Sequence, residues 1–204
     1  MAQFRLYFTC CALLLLMNWR TSRALPLPDP SASGAQCAPL FRGLLTNITD
    51  LLQTEDLCLH FITSSEVTIP SAETVQACAP AQSSGCMRQR DSSFSESECR
   101  RSIALDLAFY DAAIRSYLQS QLHRPDKEET LLGPVLRTIR DLREDCATTA
   151  SGDKDPTEEE AADMWKNDSF TNRQKMCKMM RGFHVRAITI NRAMGYISSG
   201  DHRK

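Results

Sequence analysis

The sequence lacks the motifs of hydrolytic, phosphate-binding and zinc-binding proteins. It contains no Gly-x-Ser-x-Gly motif, no glycine-rich phosphate loop and no Cys-x-x-Cys pair. No two of its four histidines (His60, His123, His184 and His202) have the spacing that binds a metal ion from one helix. These absences predict that the chain is not an enzyme, needs no cofactor and binds no metal. Its function is then expected to come from surfaces that bind other proteins.

Long basic tracts are also absent. The sequence holds 24 basic and 25 acidic residues, and no run of basic side chains is longer than Arg100-Arg101. Residues 1–24 include three arginines and no acid, so residues 25–204 keep 21 basic and 25 acidic residues and a net charge of −4. This balance does not favour nucleic acid or an anionic membrane surface as a partner.

The one long apolar run lies near the start and is too short to cross a bilayer. It extends from Leu6 to Met17, follows Arg5, and precedes small residues at positions 22 and 24. A membrane span needs roughly 20 apolar residues, whereas this arrangement is that of a signal peptide. We therefore predict a signal peptide at residues 1–24. Residues 25–204 are expected to form a domain that is secreted to the extracellular space and does not insert into membranes.

Cysteine is abundant in the predicted mature chain. Seven cysteines follow the leader: Cys37, Cys58, Cys78, Cys86, Cys99, Cys146 and Cys177. In an oxidising compartment these side chains are expected to form disulfides. Three internal bridges would use six of them, so the seventh is either bonded to another chain or left as a buried thiol.

Apolar residues recur at helical spacing in four segments. We predict helices at residues 39–61, 93–122, 131–146 and 169–197. The last has the clearest pattern, with apolar residues spaced 3-3-4-3-4-3 between Cys177 and Ile197. Such spacing is typical of a helix in a left-handed bundle. Residues 25–36 are expected to form an extended arm.

Local signals indicate where two of these helices begin. Ser93 and Glu96 have the spacing of a capping box, which satisfies free backbone N–H groups at a helix start. Pro134 interrupts the third helical pattern, so we expect it at a first turn or a kink.

Two of the three connections between these helices are long. Residues 63–91 and 147–163 show no sustained period and are rich in polar residues. Long crossovers allow an up-up-down-down four-helix bundle, as in growth-hormone-like proteins. We therefore predict an all-α, long-chain four-helix bundle of the cytokine type. An up-down bundle with disordered insertions is the alternative.

The last helix has a second, unusual face. Opposite its apolar face lie Val185, Ile188, Thr189, Arg192 and Tyr196. A solvated helix face would be more polar. Either a crossover covers this face, or it binds a partner, since arginine and aromatic side chains are favoured at the centres of interfaces.

Further surface features come from aromatic residues and glycosylation motifs. Trp165 and Phe170 lie in or beside the polar connection before the last helix. We expect one of them to contact a receptor, unless Trp165 folds back over the end of the bundle. Asn47 and Asn167 begin Asn-x-Ser/Thr motifs and are candidate N-glycosylation sites.

Several segments resemble the interleukin-12 alpha subunit family. They are FHVRAITINRAMGYI at 183–197, LLTNITDLLQ at 44–53, ETVQAC at 73–78 and CMRQRDSSFSESEC at 86–99. The resemblance implies a secreted four-helix cytokine joined to a receptor-like beta subunit, either the interleukin-12 beta chain or the beta chain of interleukin-35. The pair would engage class I cytokine receptors and signal to T and natural killer cells. A monomeric hormone-like or carrier protein is the alternative.

The resemblance also implies roles for single residues. The family's beta-subunit anchor, an arginine of the last helix, matches Arg192, and a receptor-contacting aromatic lies at the start of that helix. A bridge between Cys58 and Cys177 is implied. For the others, the preferred alignment pairs Cys37 with Cys99 and leaves Cys86 for the partner chain. A second alignment pairs Cys37 with Cys86 and Cys78 with Cys99, which leaves Cys146.

Overall fold

The computed structural model describes residues 32–58, 73–79, 94–146 and 161–199. All of them lie in one compact unit that begins at Ala32. They form helices and no strand: α1 (Ala32–Gln53), α2 (Glu73–Cys78), α3 (Glu96–Gln119), α4 (Pro125–Asp145) and α5 (Ser169–Ser198), with a 3-10 turn at Asp163–Trp165. The predicted all-α fold class is confirmed.

Contacts of α1 establish that it is antiparallel to α4 and α5. Cys37 near its start is bonded to Cys146 after the end of α4, while the Asn47 amide donates to Thr138 Oγ1 (2.9 Å), earlier in α4. The same ordering holds for α5, where the Asn191 amide donates to the carbonyl of Phe41 at 2.9 Å. Cys58, which follows α1, reaches Cys177 near the start of α5. Both neighbours of α1 therefore point the opposite way.

Contacts of α3 follow the same rule. The Tyr117 hydroxyl near its end donates to Glu128 in the first turns of α4. Tyr110 stacks on Phe183 of α5 with 3.7 Å between ring centroids, whereas Phe94, just before α3, meets Tyr196 near the end of α5. Thus α1 and α3 run one way, and α4 and α5 the other. This is the up-up-down-down arrangement that the two long connections predict.

The core is built from the apolar faces read in the sequence. All seven residues of the predicted apolar face of α5 are buried: Cys177, Met180, Phe183, Ala187, Ile190, Met194 and Ile197. Each large side chain buried in this way stabilises the fold by about 1.5–3 kcal/mol relative to leaving it exposed. α5 packs against α1, α2 and α3, and α3 packs against α2, α4 and α5.

The first helix is displaced toward the N-terminus relative to the prediction of 39–61. It begins at Ala32, so Pro39 lies inside it, and it ends at Gln53. The bridge from Cys37 to Cys146 holds this first part against the end of α4. At the other end, the N–H of Thr54 donates to Leu51 O three residues back (3.3 Å), which tightens the last turn. Cys58 is therefore in a turn and not on the helix.

The second predicted helix, 93–122, is shorter than expected at both ends. Ser95 is the N-cap of α3, and its hydroxyl accepts from the N–H of Glu98 at 3.3 Å. The capping serine is thus two residues later than the predicted Ser93. Its C-terminal end is fixed by Ser120, whose N–H donates to Tyr117 O and whose hydroxyl donates to the same oxygen.

The third predicted helix, 131–146, begins six residues earlier than expected. Pro125 opens α4, where its fixed φ suits a first turn and its missing N–H costs nothing. Glu128 is buried and accepts the N–H of Arg124 and the hydroxyl of Tyr117, which ties the start of α4 to α3. The helix continues through Pro134, which lies in its interior, so the prediction of a first turn at Pro134 is wrong.

One buried carboxylate connects three helices. Asp106 on α3 is almost fully buried, and its Oδ2 atom lies 3.2 Å from Nε of Arg186 on α5, itself buried. The hydroxyl of Thr74 on α2 donates to the same oxygen. Beside it, the disulfide between Cys78 and Cys99 joins α2 to α3. The short helix of the first crossover is thereby fixed to α3 and α5.

We expect Arg186→Met to lower the free energy of unfolding by about 3–5 kcal/mol, because the buried Asp106 carboxylate would lose its ion pair with Arg186. The measurement is urea unfolding followed by far-ultraviolet circular dichroism with the disulfides intact. Arg115→Met is the control, since Arg115 is exposed and its partner Asp111 keeps a second ion pair with Arg143, so we expect a loss of about 1 kcal/mol or less. Equal losses in the two variants would contradict this account.

Candidate protein-binding surfaces

The outer face of α5 (Val185, Ile188, Thr189, Arg192 and Tyr196) is open along much of its length. Val185 is 45% exposed and Arg192 is exposed, whereas the other three are half-buried. Arg192 forms no hydrogen bond or ion pair with any residue that the structure describes. Tyr196 packs edge-on against Phe94 with 5.3 Å between ring centroids, so Phe94 covers one end of this face.

The charge of α5 is of one sign. Its 30 residues include no Asp or Glu, but six basic side chains: Arg173, Lys175, Lys178, Arg181, Arg186 and Arg192. Arg186 is neutralised by Asp106 inside the protein, whereas Arg192 faces outward. A complementary surface for this face is therefore apolar with at least one carboxylate.

Trp165 is buried, contrary to the expectation that it is an exposed receptor contact. Its indole N–H donates to the carbonyl of Ala113 on α3 at 3.0 Å, and its ring meets Tyr117 edge-on at 5.1 Å. Lys175 lies 5.6 Å from the ring centroid. A satisfied indole N–H and a cation over the ring make this a core position, which is the alternative noted above.

Phe170, by contrast, is 58% exposed at the start of α5. Asp168 is the N-cap and accepts the N–H groups of Phe170 and Thr171, each at 3.0 Å. The hydrogen bond from the Thr171 hydroxyl holds the pKa of the Asp168 carboxyl below its usual value. The amide of Asn172 also donates to the carbonyls of Trp165 and Asn167. Phe170 is therefore displayed from a well-braced helix start.

The two glycosylation motifs have different surroundings. Asn47 is half-buried, and its amide nitrogen donates to Thr138 Oγ1 (2.9 Å) and to the carbonyl of Pro134 (3.4 Å). This amide lies between α1 and α4, and a glycan on it would separate the two helices. Asn167 is exposed in the bend before α5. Its position is compatible with a glycan.

The disulfides correct one of the predicted pairings. Cys58 and Cys177 are joined, with 5.5 Å between their Cα atoms, as the resemblance implies. The pairing of Cys37 with Cys99 is wrong, because Cys37 is joined to Cys146 and Cys99 to Cys78. Cys86 lies outside the described residues.

Neither alignment pairs Cys37 with Cys146, although the predicted topology is compatible with this disulfide. The start of the first helix and the end of the third lie at the same end of an up-up-down-down bundle. Cys37 and Cys146 flank those two points, and their Cα atoms are 5.5 Å apart.

In the described ranges, no cluster of His, Cys, Asp and Glu has the arrangement of a metal site. Among those same residues, no helix combines the length and the apolar character that crossing a membrane requires. The up-up-down-down order of the helices is that of the long-chain four-helix bundles of the cytokine class.

Comparison with known proteins identifies the family within this class. The sequence profile of the interleukin-12 alpha subunit matches residues 6–200. Interleukin-12 subunit alpha of Lama glama is 26% identical, over 87% of this chain and 89% of the relative. The Homo sapiens protein is 24% identical over 92% and 94%, and that of Rattus norvegicus 26% over 98% and 100%. The chain belongs to the interleukin-12 alpha subunit family, whose members are cytokines and not enzymes.

We expect a glycan on Asn167 and none on Asn47 when the chain is expressed in mammalian cells, because only the Asn167 amide is exposed. Enzymatic removal of N-glycans converts each occupied Asn to Asp, which peptide mass spectrometry detects. Asn167→Gln should also increase electrophoretic mobility, whereas Asn47→Gln should not. Conversion at position 47 would contradict the structural assignment.

Proposed function

We propose that this chain is secreted and pairs with a receptor-like beta subunit, either the interleukin-12 beta chain or the beta chain of interleukin-35. The pair then signals through class I cytokine receptors to T and natural killer cells. Membership of the interleukin-12 alpha subunit family supports the general class of partner. The single observation that carries the proposal is Arg192, an exposed arginine on the outer face of α5.

The surroundings of Arg192 suit a buried charge-assisted contact. Ile188 and Tyr196 lie one turn to either side of it and are half-buried in the described chain. A partner seated on this face would exclude water from the guanidinium, and a planar guanidinium forms paired hydrogen bonds with a carboxylate. No residue of α5 is acidic, so this helix does not supply the carboxylate, and we assign it to the partner.

A covalent link is the second element of the proposed pairing. The three bridges among the described residues use six of the seven cysteines that follow the predicted leader, and the seventh is Cys86. An odd cysteine in a secreted chain is typical of an intermolecular bridge. Cys86 is therefore assigned to a disulfide with the beta subunit. The preferred alignment makes the same assignment for Cys86. It differs from the structure in pairing Cys37 with Cys99.

Phe170 is the proposed contact with a signalling receptor. Exposed phenylalanine side chains are costly to leave in water, and large aromatics are frequent anchors of interfaces. Phe170 lies at the start of α5, whereas Arg192 lies near its end, about 30 Å away at 1.5 Å per residue along the helix. That separation allows the beta subunit and a receptor to bind simultaneously.

Arg192→Ala is expected to reduce assembly with the beta subunit by well over tenfold, since losing one member of a buried pair costs about 2–5 kcal/mol. The measurement is capture by the beta subunit of a co-expressed Cys86→Ser, Arg192→Ala chain, relative to Cys86→Ser alone. The Cys86→Ser background prevents a disulfide from masking the loss. Arg192→Lys should also assemble poorly, because an ammonium lacks the planar fork.

Arg140→Ala, in the same Cys86→Ser background, is the matched control. Arg140 is an exposed arginine on α4, which packs against α1 and α3 and lies away from the outer face of α5. Equal recovery of the Arg192 and Arg140 variants would contradict the proposed role of α5. Secretion of the chain as an active monomer would favour the hormone-like alternative.

Phe170→Ala is expected to reduce receptor activation at least several-fold while leaving heterodimer formation unchanged, because Phe170 is distant from Arg192. The measurement is receptor phosphorylation in responsive cells at matched heterodimer concentrations. Phe109→Ala would not be a useful control, since Phe109 packs against the core; Gln119→Ala, at an exposed position on α3, is suitable. Full activity of the Phe170 variant would remove Phe170 from the receptor contact.

A further inference from the structure

Two of the exposed apolar side chains in the described residues flank the buried carboxylate of Asp106. Val75 on α2 is 47% exposed and Val185 on α5 is 45% exposed. Val75 follows Thr74, and Val185 precedes Arg186. Thr74 and Arg186 both contact the Oδ2 atom of Asp106. The two valines are therefore the immediate chain neighbours of side chains that converge on one oxygen atom.

This arrangement gives α2 a fixed place beside the outer face of α5. Successive residues of a helix are about 100° apart, so a buried Thr74 or Arg186 is compatible with an outward valine next to it. The disulfide between Cys78 and Cys99 holds the other end of α2 on α3. Neither valine packs into the core, and α2 packs against α5, so each of these two neighbouring helices carries one exposed valine.

We propose that α2, through Val75, forms a second part of the beta-subunit contact, continuous with the outer face of α5. Asp106, Thr74 and Arg186 act as positioning residues that hold α2 in that contact. The proposal rests on the proposed function, because it extends the surface that contains Arg192. The same beta subunit would bind both surfaces and would contact α2 as well as α5.

The chain that follows α2 supports this choice of occupant. Cys86 is eight residues beyond Cys78. Eight residues span at most about 28 Å when fully extended. Since Cys78 is fixed by its bridge to Cys99, a disulfide from Cys86 confines the partner's cysteine to that distance from α2. A partner anchored by Arg192 and by Cys86 would therefore have a cysteine within reach of α2.

Charge gives a second reason. The outer face of α5 needs an apolar partner surface with a carboxylate, and Val75 and Val185 add apolar area without adding charge. A substitution that places a carboxylate at position 75 would then oppose an acidic and apolar partner surface. The same change on a remote helix would have no such effect.

The test compares Val75→Glu with Thr130→Glu, both in the Cys86→Ser background, by capture of the co-expressed chain with the beta subunit. Thr130 is exposed on α4, a helix that packs against α1 and α3. We expect Val75→Glu to weaken capture by about tenfold, as for an interface anchor, and Thr130→Glu to leave it unchanged. Val75→Ser, a milder change at an exposed position, should weaken capture by about threefold.

Folding is checked separately by the thermal unfolding temperature of each purified variant. A loss of capture by Val75→Glu and Val75→Ser at an unchanged unfolding temperature supports the proposal. Normal capture of both, with Arg192→Ala impaired, would exclude α2 from the contact while leaving the proposed function intact. Normal capture of all three variants would overturn the proposed function itself. The contact would also be rejected if Val75→Glu lowered both capture and the unfolding temperature while Val75→Ser was captured normally.

Discussion

Burial of one face of α5 is the constraint on which the remaining structure depends. Its seven buried residues, from Cys177 to Ile197, follow a single helical face, and α1, α2 and α3 pack around that helix. Residues of a helix are spaced about 100° apart around its axis, so burial of one face determines which side chains lie on the opposite, outward face. The outward position of Arg192 is therefore a consequence of how α5 packs into the core.

The described parts of the connections between helices are held by disulfides, by hydrogen bonds and by the buried ring of Trp165. The disulfides Cys37–Cys146 and Cys58–Cys177 each close a loop of more than a hundred residues. The third disulfide, Cys78–Cys99, joins α2 to α3. Closing a loop of that size restricts the unfolded chain. In the entropic account, each such disulfide raises the free energy of unfolding by about 4–5 kcal/mol. The carboxylate of Asp106 then holds α2, which is too short to bury a large apolar face.

Much of the fold could be predicted because its signals are periodic and local. The buried face of α5 was read directly from spacing, and the bounds 169–197 differ from Ser169–Ser198 by one residue. Features that depend on tertiary contact could not be read in this way. Trp165 lies in a polar segment, and only the carbonyl of Ala113 and the ring of Tyr117 explain its burial. The amide of Asn47 likewise has partners on α4 that are 87 and 91 residues away in sequence.

In the proposed heterodimer, the outer face of α5 binds the beta subunit through Arg192. The most direct measurement is an experimental structure of the heterodimer. We expect the Arg192 guanidinium to lie within about 3 Å of a carboxylate oxygen of the beta subunit and to be shielded from solvent. A complex in which Arg192 remains exposed and the beta subunit contacts another face of the bundle would contradict it.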